Sequence, residues 1–205
     1  MAKLYFRYGP MGSGKSAHLL IVAQNYADVG KRAYIVKPDT DTRTAAVSSR
    51  IPGVEAMADY VAQLSDNLYD VIAAELAGEN DPIACILVDE AQWISRQQVN
   101  DLFLVATKLN IPVIGYGLRT DYQAEEWEGA VRWLALAQLE ELKMICRCNR
   151  KATLTGRKNA EGEFIPSDFD ENNQVVMGGS ESYEALCPIH YLEWVGEARF
   201  RRPQK

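Results

Sequence analysis

The string Gly9-Pro10-Met11-Gly12-Ser13-Gly14-Lys15-Ser16 constrains this chain more than any other feature. It fits G-x-x-x-x-G-K-[ST] at every fixed position, and that spacing needs a strand before it and a helix after it. Glycines let the backbone wrap closely around an anion, with N–H groups pointing inward as donors. A helix opening at Ser16 adds the positive end of its dipole. In such a cradle Lys15 reaches the β- and γ-phosphates of a nucleotide, and the Ser16 hydroxyl ligates Mg²⁺. A Gly-rich turn before an ordinary helix would leave the same letters, so the flanks decide. Residues 3–8 are rich in aromatics and stop at Gly9-Pro10, as a strand entering a turn would. Beyond the loop, Leu19, Leu20, Val22, Ala23 and Tyr26 recur at helical spacing, and Gly30 closes the helix.

The alternation continues along the chain. A short apolar strand over 33–36 stops at Pro38, an amphipathic helix fits 64–76, and 83–88 is a continuous apolar run. A helix fits 97–109, a strand 113–115, and one further strand 139–145. Strands alternating with helices predict an α/β fold: a P-loop NTPase-like parallel sheet flanked by helices, with right-handed crossovers. The unbroken run Ile83-Ala84-Cys85-Ile86-Leu87-Val88 reads as a strand covered on both faces, with Cys85 as a core thiol. Near residue 142 the composition shifts to cysteines, polar turns and few apolar runs. The expected domains are therefore 1–141 for nucleotide binding, 142–195 as a small zinc-binding domain, and 196–205 as a C-terminal tail. From Arg199 onward that tail is basic and Pro-containing, which reads as a frayed end.

Asp89 and Glu90 close the apolar strand. In enzymes with this cradle an acid at that place faces the metal across the phosphate site, a role expected of Asp89 through a water. Neighbouring residues at a strand tip point to opposite sides, so Glu90 should project differently and be free to act as a general base on an incoming hydroxyl. A lone acidic pair would more simply be a solvated strand end. Beside the cradle, at the carboxyl edge of the sheet where ligands bind, the catalytic reading is the better one.

Cys146-Arg147-Cys148 and Cys187-Pro188-Ile189-His190 offer three thiols and one imidazole. Four such ligands in close pairs make a tetrahedral structural Zn²⁺ site with no position left open for catalysis. The bland alternative is a set of unrelated thiols and a histidine. The chain holds only two histidines, and one of them lies three residues after a cysteine, which favours zinc.

The 205 residues suffice to bury a core without disulfides, and a formal net charge of -6 argues against nucleic acid as a partner. The N-terminal segment lacks a signal-peptide pattern and no run is long and apolar enough to span a membrane, so a cytoplasmic location without membrane attachment is expected.

Taken in order, these elements resemble the thymidine kinases of the cellular and bacterial, zinc-containing type (type II), distinct from the herpesviral group. The resemblance covers nearly the whole chain: GPMGSGKS at 9–16, LVDEAQW at 87–93, GLRTDY at 117–122 and VVMGGSESYEALCPIH at 175–190. It implies transfer of the γ-phosphate of ATP to the 5′-hydroxyl of thymidine, with deoxyuridine a possible acceptor, in nucleotide salvage. Residues Gly9, Pro10, Met11, Gly12, Ser13, Gly14, Lys15 and Ser16, with Asp89, would hold ATP and Mg²⁺; Glu90 would be the base. Lys15 and Arg43 would assist, Arg43 forming with Asp41 a DxR element near the reacting groups, although a solvated loop charge explains Arg43 equally well. The thymine slot would comprise Met11, Leu118, Tyr122, Trp127 and Tyr183, with Asp41, Val176 and Gly178 also on the substrate. A lasso loop over about residues 161–183 would cover the base, binding it largely through main-chain groups. Relatives often carry phenylalanine where Tyr122 and Trp127 stand, and some carry a fourth cysteine where His190 stands. The same resemblance implies a homotetramer and feedback inhibition by thymidine triphosphate. Two other readings compete: a zinc-ribbon P-loop ATPase acting on nucleic acid, which the acidic charge disfavours, and a non-catalytic nucleotide-binding module, which leaves the aromatic slot unexplained.

Overall fold

The computed structural model of the protein describes residues 1–41, 46–78, 81–167 and 182–201. Arg43, Val176, Gly178 and most of the expected lasso therefore lie outside the described residues. The chain divides into two compact units. The first takes Met1–Tyr8, Gly14–Gly117 and Glu128–Leu142; the second takes Gly9–Ser13, Leu118–Trp127 and Lys143–Lys205. Two short loops that precede residue 142 thus group with the C-terminal unit.

The first unit opens with β1 (Leu4–Tyr8), α1 (Lys15–Asp28) and β2 (Arg32–Pro38). A hairpin of β3 (Ala46–Ser48) and β4 (Glu55–Met57) follows, then β5 (Tyr60–Ala62), α2 (Leu68–Leu76) and β6 (Ile83–Val88). The unit ends with α3 (Arg96–Leu104), β7 (Val113–Gly117), α4 (Glu128–Leu136) and β8 (Gln138–Glu141). Among the described residues its sheet has six strands in the order β5-β2-β6-β7-β1-β8, and each neighbouring pair is parallel.

Strand alternation assigns the two faces. Ile35, Cys85, Leu87, Ile114 and Tyr116 meet Leu19 and Leu20 of α1 on one side. Phe6 points the other way and stacks on Trp133 of α4, with ring centroids 5.6 Å apart. Gly115 permits that contact, because a Cβ there would lie 2.8 Å from the indole. Side chains as enclosed as Phe6, Leu87 and Trp133 each contribute roughly 2–3 kcal/mol by leaving water. Cys85 is fully buried in this core.

Local signals set several boundaries differently from the hydrophobic pattern. The Asn67 side chain accepts the N–H groups of Tyr69 and Asp70, so α2 starts at Leu68 rather than at 64. Ser95 and Gln98 form a capping box that starts α3. Its continuation over Val105–Leu109 widens into a π turn, ended by Asn110 at φ 57°. The strand expected over 139–145 is two pieces. β8 pairs with β1, and the chain then leaves the sheet after the Leu142 N–H reaches the Tyr8 carbonyl at 2.8 Å.

The second unit contains β9 (Met144–Ile145) paired antiparallel with β10 (Lys151–Ala152), and β11 (Leu154–Arg157) paired antiparallel with β12 (Tyr183–Leu186). Helix α5 (Pro188–Trp194) closes it. Its core gathers Cys146, Ala152, Leu186, Cys187, Tyr191 and Val195. Arg199, expected to fray, sits in a 3-10 turn over Ala198–Phe200, and its guanidinium is hydrogen-bonded. Among the described residues no helix is long and apolar enough to cross a membrane.

Candidate active site

β1 runs directly into the glycine-rich loop. Gly12 and Gly14 take φ of 84° and 78°. Nothing lies within 4 Å of a Cβ added at Gly14, so backbone conformation, not space, requires glycine there. The Gly14 carbonyl accepts the His18 N–H at 2.9 Å, which starts α1, and no acidic side chain occupies that helix's first turn. The end of α1 is thus built to favour an anion.

At the neighbouring strand tips the two acids diverge. The Asp89 N–H continues the ladder to the Val36 carbonyl at 3.0 Å. Its carboxylate is buried and accepts the Ser16 hydroxyl, with Oδ1 at 3.2 Å. Burial, then the charge of Glu90, pushes the Asp89 pKa up, against hydrogen bonds from the Glu90 backbone and Ser16. Burial also draws the Lys15 ammonium down to about 8, with Glu90 and Asp89 pulling the other way. Glu90 itself adopts a left-handed backbone, φ 44° and ψ 43°, and starts the 3-10 turn Ala91–Trp93. Its Oε2 accepts the amide of Gln92 at 2.8 Å. The separation of the acids therefore comes from a turn at Glu90, not from strand alternation.

Asp41 is buried and paired with Lys37 at 3.0 Å. Lys37 also donates to the Ala46 carbonyl at 3.3 Å. Since Val36 registers with Val88, this ion pair sits at the same sheet edge as Asp89.

The described slot candidates share the second unit. Leu118, Tyr122 and Trp127 are buried in the loop Leu118–Trp127, and Tyr183 begins β12. The Met11 N–H donates to the Thr155 hydroxyl at 3.1 Å, fixing the early part of the glycine-rich loop to β11. Arg157, also on β11, lies over the Tyr122 ring at 5.3 Å. The structure thus gathers the candidates into two sets: Gly14, Lys15, Ser16, Asp41, Asp89 and Glu90 in one unit, and Gly9–Ser13 with the apolar set in the other.

The ligand atoms of Cys146, Cys148, Cys187 and His190 all lie within 4.8 Å of one another. A tetrahedral zinc with thiolates at about 2.3 Å needs sulfurs about 3.8 Å apart; Cys148 and Cys187 stand at 3.7 Å. Cys146 and His190 stand closer, at 3.1 Å. Asn149 at φ 63° turns the first pair back, and Cys187 caps α5, which then presents His190. Burial opposes the thiolate of Cys146, but N–H groups of Cys187 and Cys148 and the His190 ring outweigh it and lower its pKa to about 6. Anionic sulfur within a compact thiol–imidazole set fits a zinc ion.

A profile of the thymidine kinase family matches residues 2–191. This chain belongs to the thymidine kinase family. The thymidine kinase of Haemophilus influenzae (strain ATCC 51907 / DSM 11121 / KW20 / Rd) is 45% identical over 200 residues, covering 96% of this chain and 100% of its own. That of Jannaschia sp. (strain CCS1) is 42% identical over 200 residues, covering 96% and 98%. That of Legionella pneumophila subsp. pneumophila is 41% identical over 205 residues, covering 98% and 95%. For a thymidine kinase family member, three residues at the site had escaped the sequence reading as individuals: Gln92, Lys37 and Thr155. Gln92 had a local signal, two residues beyond Glu90. Thr155 had none, because its partner Met11 is remote in sequence.

Proposed function

We propose that the chain transfers the γ-phosphate of ATP to the 5′-hydroxyl of thymidine, giving thymidine monophosphate and ADP. Family membership supports the reaction. The observation that supports the residue roles is the Ser16–Asp89 hydrogen bond beside a Glu90 carboxylate held by Gln92. Phosphoryl transfer depends on alignment and charge neutralisation more than on covalent help from the protein. The glycine-rich loop and Lys15 hold the triphosphate. Ser16 and Asp89 would hold Mg²⁺, whose chemistry when bound is to neutralise charge on the phosphate oxygens. Glu90 accepts the proton of the 5′-hydroxyl as its oxygen bonds to the γ-phosphorus and the bond to ADP breaks. Met11, Leu118, Tyr122, Trp127 and Tyr183 hold the thymine ring, Tyr122 and Trp127 offering flat apolar faces. Asp41 orients the same sheet edge through its ion pair with Lys37. Arg43, Val176 and Gly178 keep the roles that the family resemblance implies.

Cys146, Cys148, Cys187 and His190 would hold a structural zinc, which ties β9, β10 and α5 together around a small core. A cytoplasmic location agrees with four cysteines that form no disulfide. A homotetramer and inhibition by thymidine triphosphate complete the proposal on the family resemblance alone.

The decisive assay incubates the chain with Mg-ATP and thymidine and measures thymidine monophosphate and ADP in equal amounts. No product from folded, metal-loaded protein would end the proposal. In Glu90→Gln, kcat should fall about 10²–10⁴-fold, the usual weight of a general base, while thymidine binding stays within about threefold. Near-normal turnover in that variant removes Glu90 from the base role.

A further inference from the structure

The loop Leu118–Trp127 carries three of the proposed base-slot side chains, and its shape is set from within and from outside. Within, Asp121 is buried, and its Oδ1 accepts the N–H groups of Gln123 at 2.8 Å and Glu125 at 2.9 Å. Ala124 turns the chain at φ 65°, and the Asp121 N–H returns to the Glu125 carbonyl at 2.9 Å. From outside, the brace comes from the C-terminal end of the chain. The Tyr191 hydroxyl on α5 donates to the Tyr122 carbonyl at 2.8 Å. Arg199 reaches three groups: Nε donates to the Ser167 carbonyl at 2.8 Å, Nη2 to Gln123 Oε1 at 3.2 Å, and Nη1 lies 3.7 Å from Glu125 Oε1.

A guanidinium suits this place because its donors leave a rigid plane at fixed angles, which a lysine cannot reproduce. The Glu125 contact is long and both side chains are partly exposed, so as an ion pair it is worth little. The hydrogen bonds carry the geometry. Ser167 is fully buried and itself anchored, its N–H donating to the Val195 carbonyl at 2.8 Å. Arg199 therefore couples a fixed point at Ser167 to Gln123, whose chain neighbour is Tyr122.

We infer that Arg199 is a positioning residue for the nucleoside, holding the loop Leu118–Trp127 through Gln123 so that Tyr122 and Trp127 keep their places against the base. The inference rests on the reading of that loop as the base slot. Arg199 touches no reacting group. Lys15, Ser16, Asp89 and Glu90 belong to the other compact unit, and although Gly9–Ser13 share its own, the Arg199 hydrogen bonds run to Ser167 and Gln123, so the effect of losing it should fall on thymidine and spare ATP.

The test uses the full zinc-loaded chain as wild type, R199Q, R199K, Q123A and the R199Q/Q123A double variant. Each is assayed for KM of thymidine, KM of ATP and kcat, with melting temperature and zinc content measured alongside. R199Q should raise the thymidine KM roughly three- to tenfold, the size of one charge-assisted hydrogen bond discounted for exposure of the guanidinium. The ATP KM and kcat should stay within about twofold, which general damage to the fold would not allow. R199K, keeping charge without the fork, should recover only part of the loss. Q123A should give a similar rise, and the double variant should exceed the larger single effect by less than about twofold, since both remove one link. Should R199Q fail to fold, R199K and Q123A decide alone. A wild-type chain that makes no thymidine monophosphate overturns the slot reading and the inference with it. A working wild type whose folded variants keep an unchanged thymidine KM, or raise both KM values equally, overturns the inference alone.

Discussion

Gly129, in the first turn of α4, should be intolerant of even a methyl group. A Cβ built there would stand 2.3 Å from the Ile94 carbonyl oxygen and 2.7 Å from that of Gln92. Both neighbours are backbone, so no side chain can swing aside, and an ordinary contact near 3.4 Å requires the turn and the helix to part by about 1 Å. Overpacking of this kind costs about 1–3 kcal/mol, and backbone on both sides of the clash places it at the upper end. Alanine returns at most about 1 kcal/mol through helix propensity. The net loss in Gly129→Ala is then about 2 kcal/mol, which for a chain of this length lowers Tm by about 4–8 °C. The displaced segment is the turn after Glu90. It carries Gln92, which donates to Glu90, and Ala91, whose carbonyl accepts the Trp133 indole N–H at 3.0 Å. A shift of about 1 Å in a proposed base should reduce kcat about 10–100-fold with little change in either KM. Calorimetry and steady-state kinetics on the same preparation check both parts. An equal or higher Tm with kcat within twofold of wild type would refute the reasoning, since helix propensity would then have outweighed the clash.

Two further outcomes follow from the site. Because burial lowers the Lys15 ammonium to about 8, the free protein loses that charge as pH rises through 8, and nucleotide binding must then take up a proton. Affinity for a non-hydrolysable ATP analogue, measured by calorimetry, should be down by about half at pH 8 and fall roughly tenfold per unit well above it, while Lys15→Arg, charged throughout, shows no such loss; a wild-type profile flat to pH 10 would contradict this. For the metal, purified protein should carry one zinc per chain by elemental analysis, and a strong chelator or Cys187→Ser should lower Tm sharply; a folded chain free of zinc, with unaltered Tm in chelator, would remove the metal from the structure.

Much of the fold was legible because its signals are local. The motif at 9–16, the apolar run of β6 and the helical spacing of α1 are each contiguous strings, and alternation of such strings implies a parallel sheet. The Cys/His set was visible for the same reason, two close pairs needing only the chain's return to meet. Strands of three residues, such as β3, β4 and β5, are too short to show a period, and they went unread. The remaining features depend on partners far apart in sequence. Nothing beside Thr155 announces that it holds the Met11 N–H, and nothing in the tail announces that Arg199 reaches Gln123. Gly129 reads as a poor helix residue until the carbonyls facing it are known.

Glu90 shows why the last category matters most at the site. A side chain with a Cβ in the left-handed region is strained by about 1–2 kcal/mol, and a glycine at position 90 would relieve it. The strain persists because the turn that follows is fixed from three sides. Trp133 holds the Ala91 carbonyl, the backbone at Gly129 lies against Gln92 and Ile94, and Gly117 leaves room for the buried Gln92 side chain, where a Cβ would come within 2.8 Å of its amide oxygen. Those supports let Asp89 face Ser16 while the next residue turns its carboxylate toward Gln92, so that two adjacent acids serve different partners. Strand alternation alone would have parted them without fixing either. The substitution that would make this turn easiest to form is therefore the one that deletes the carboxylate the proposed reaction requires, an ordering of stability against function that only the tertiary contacts explain.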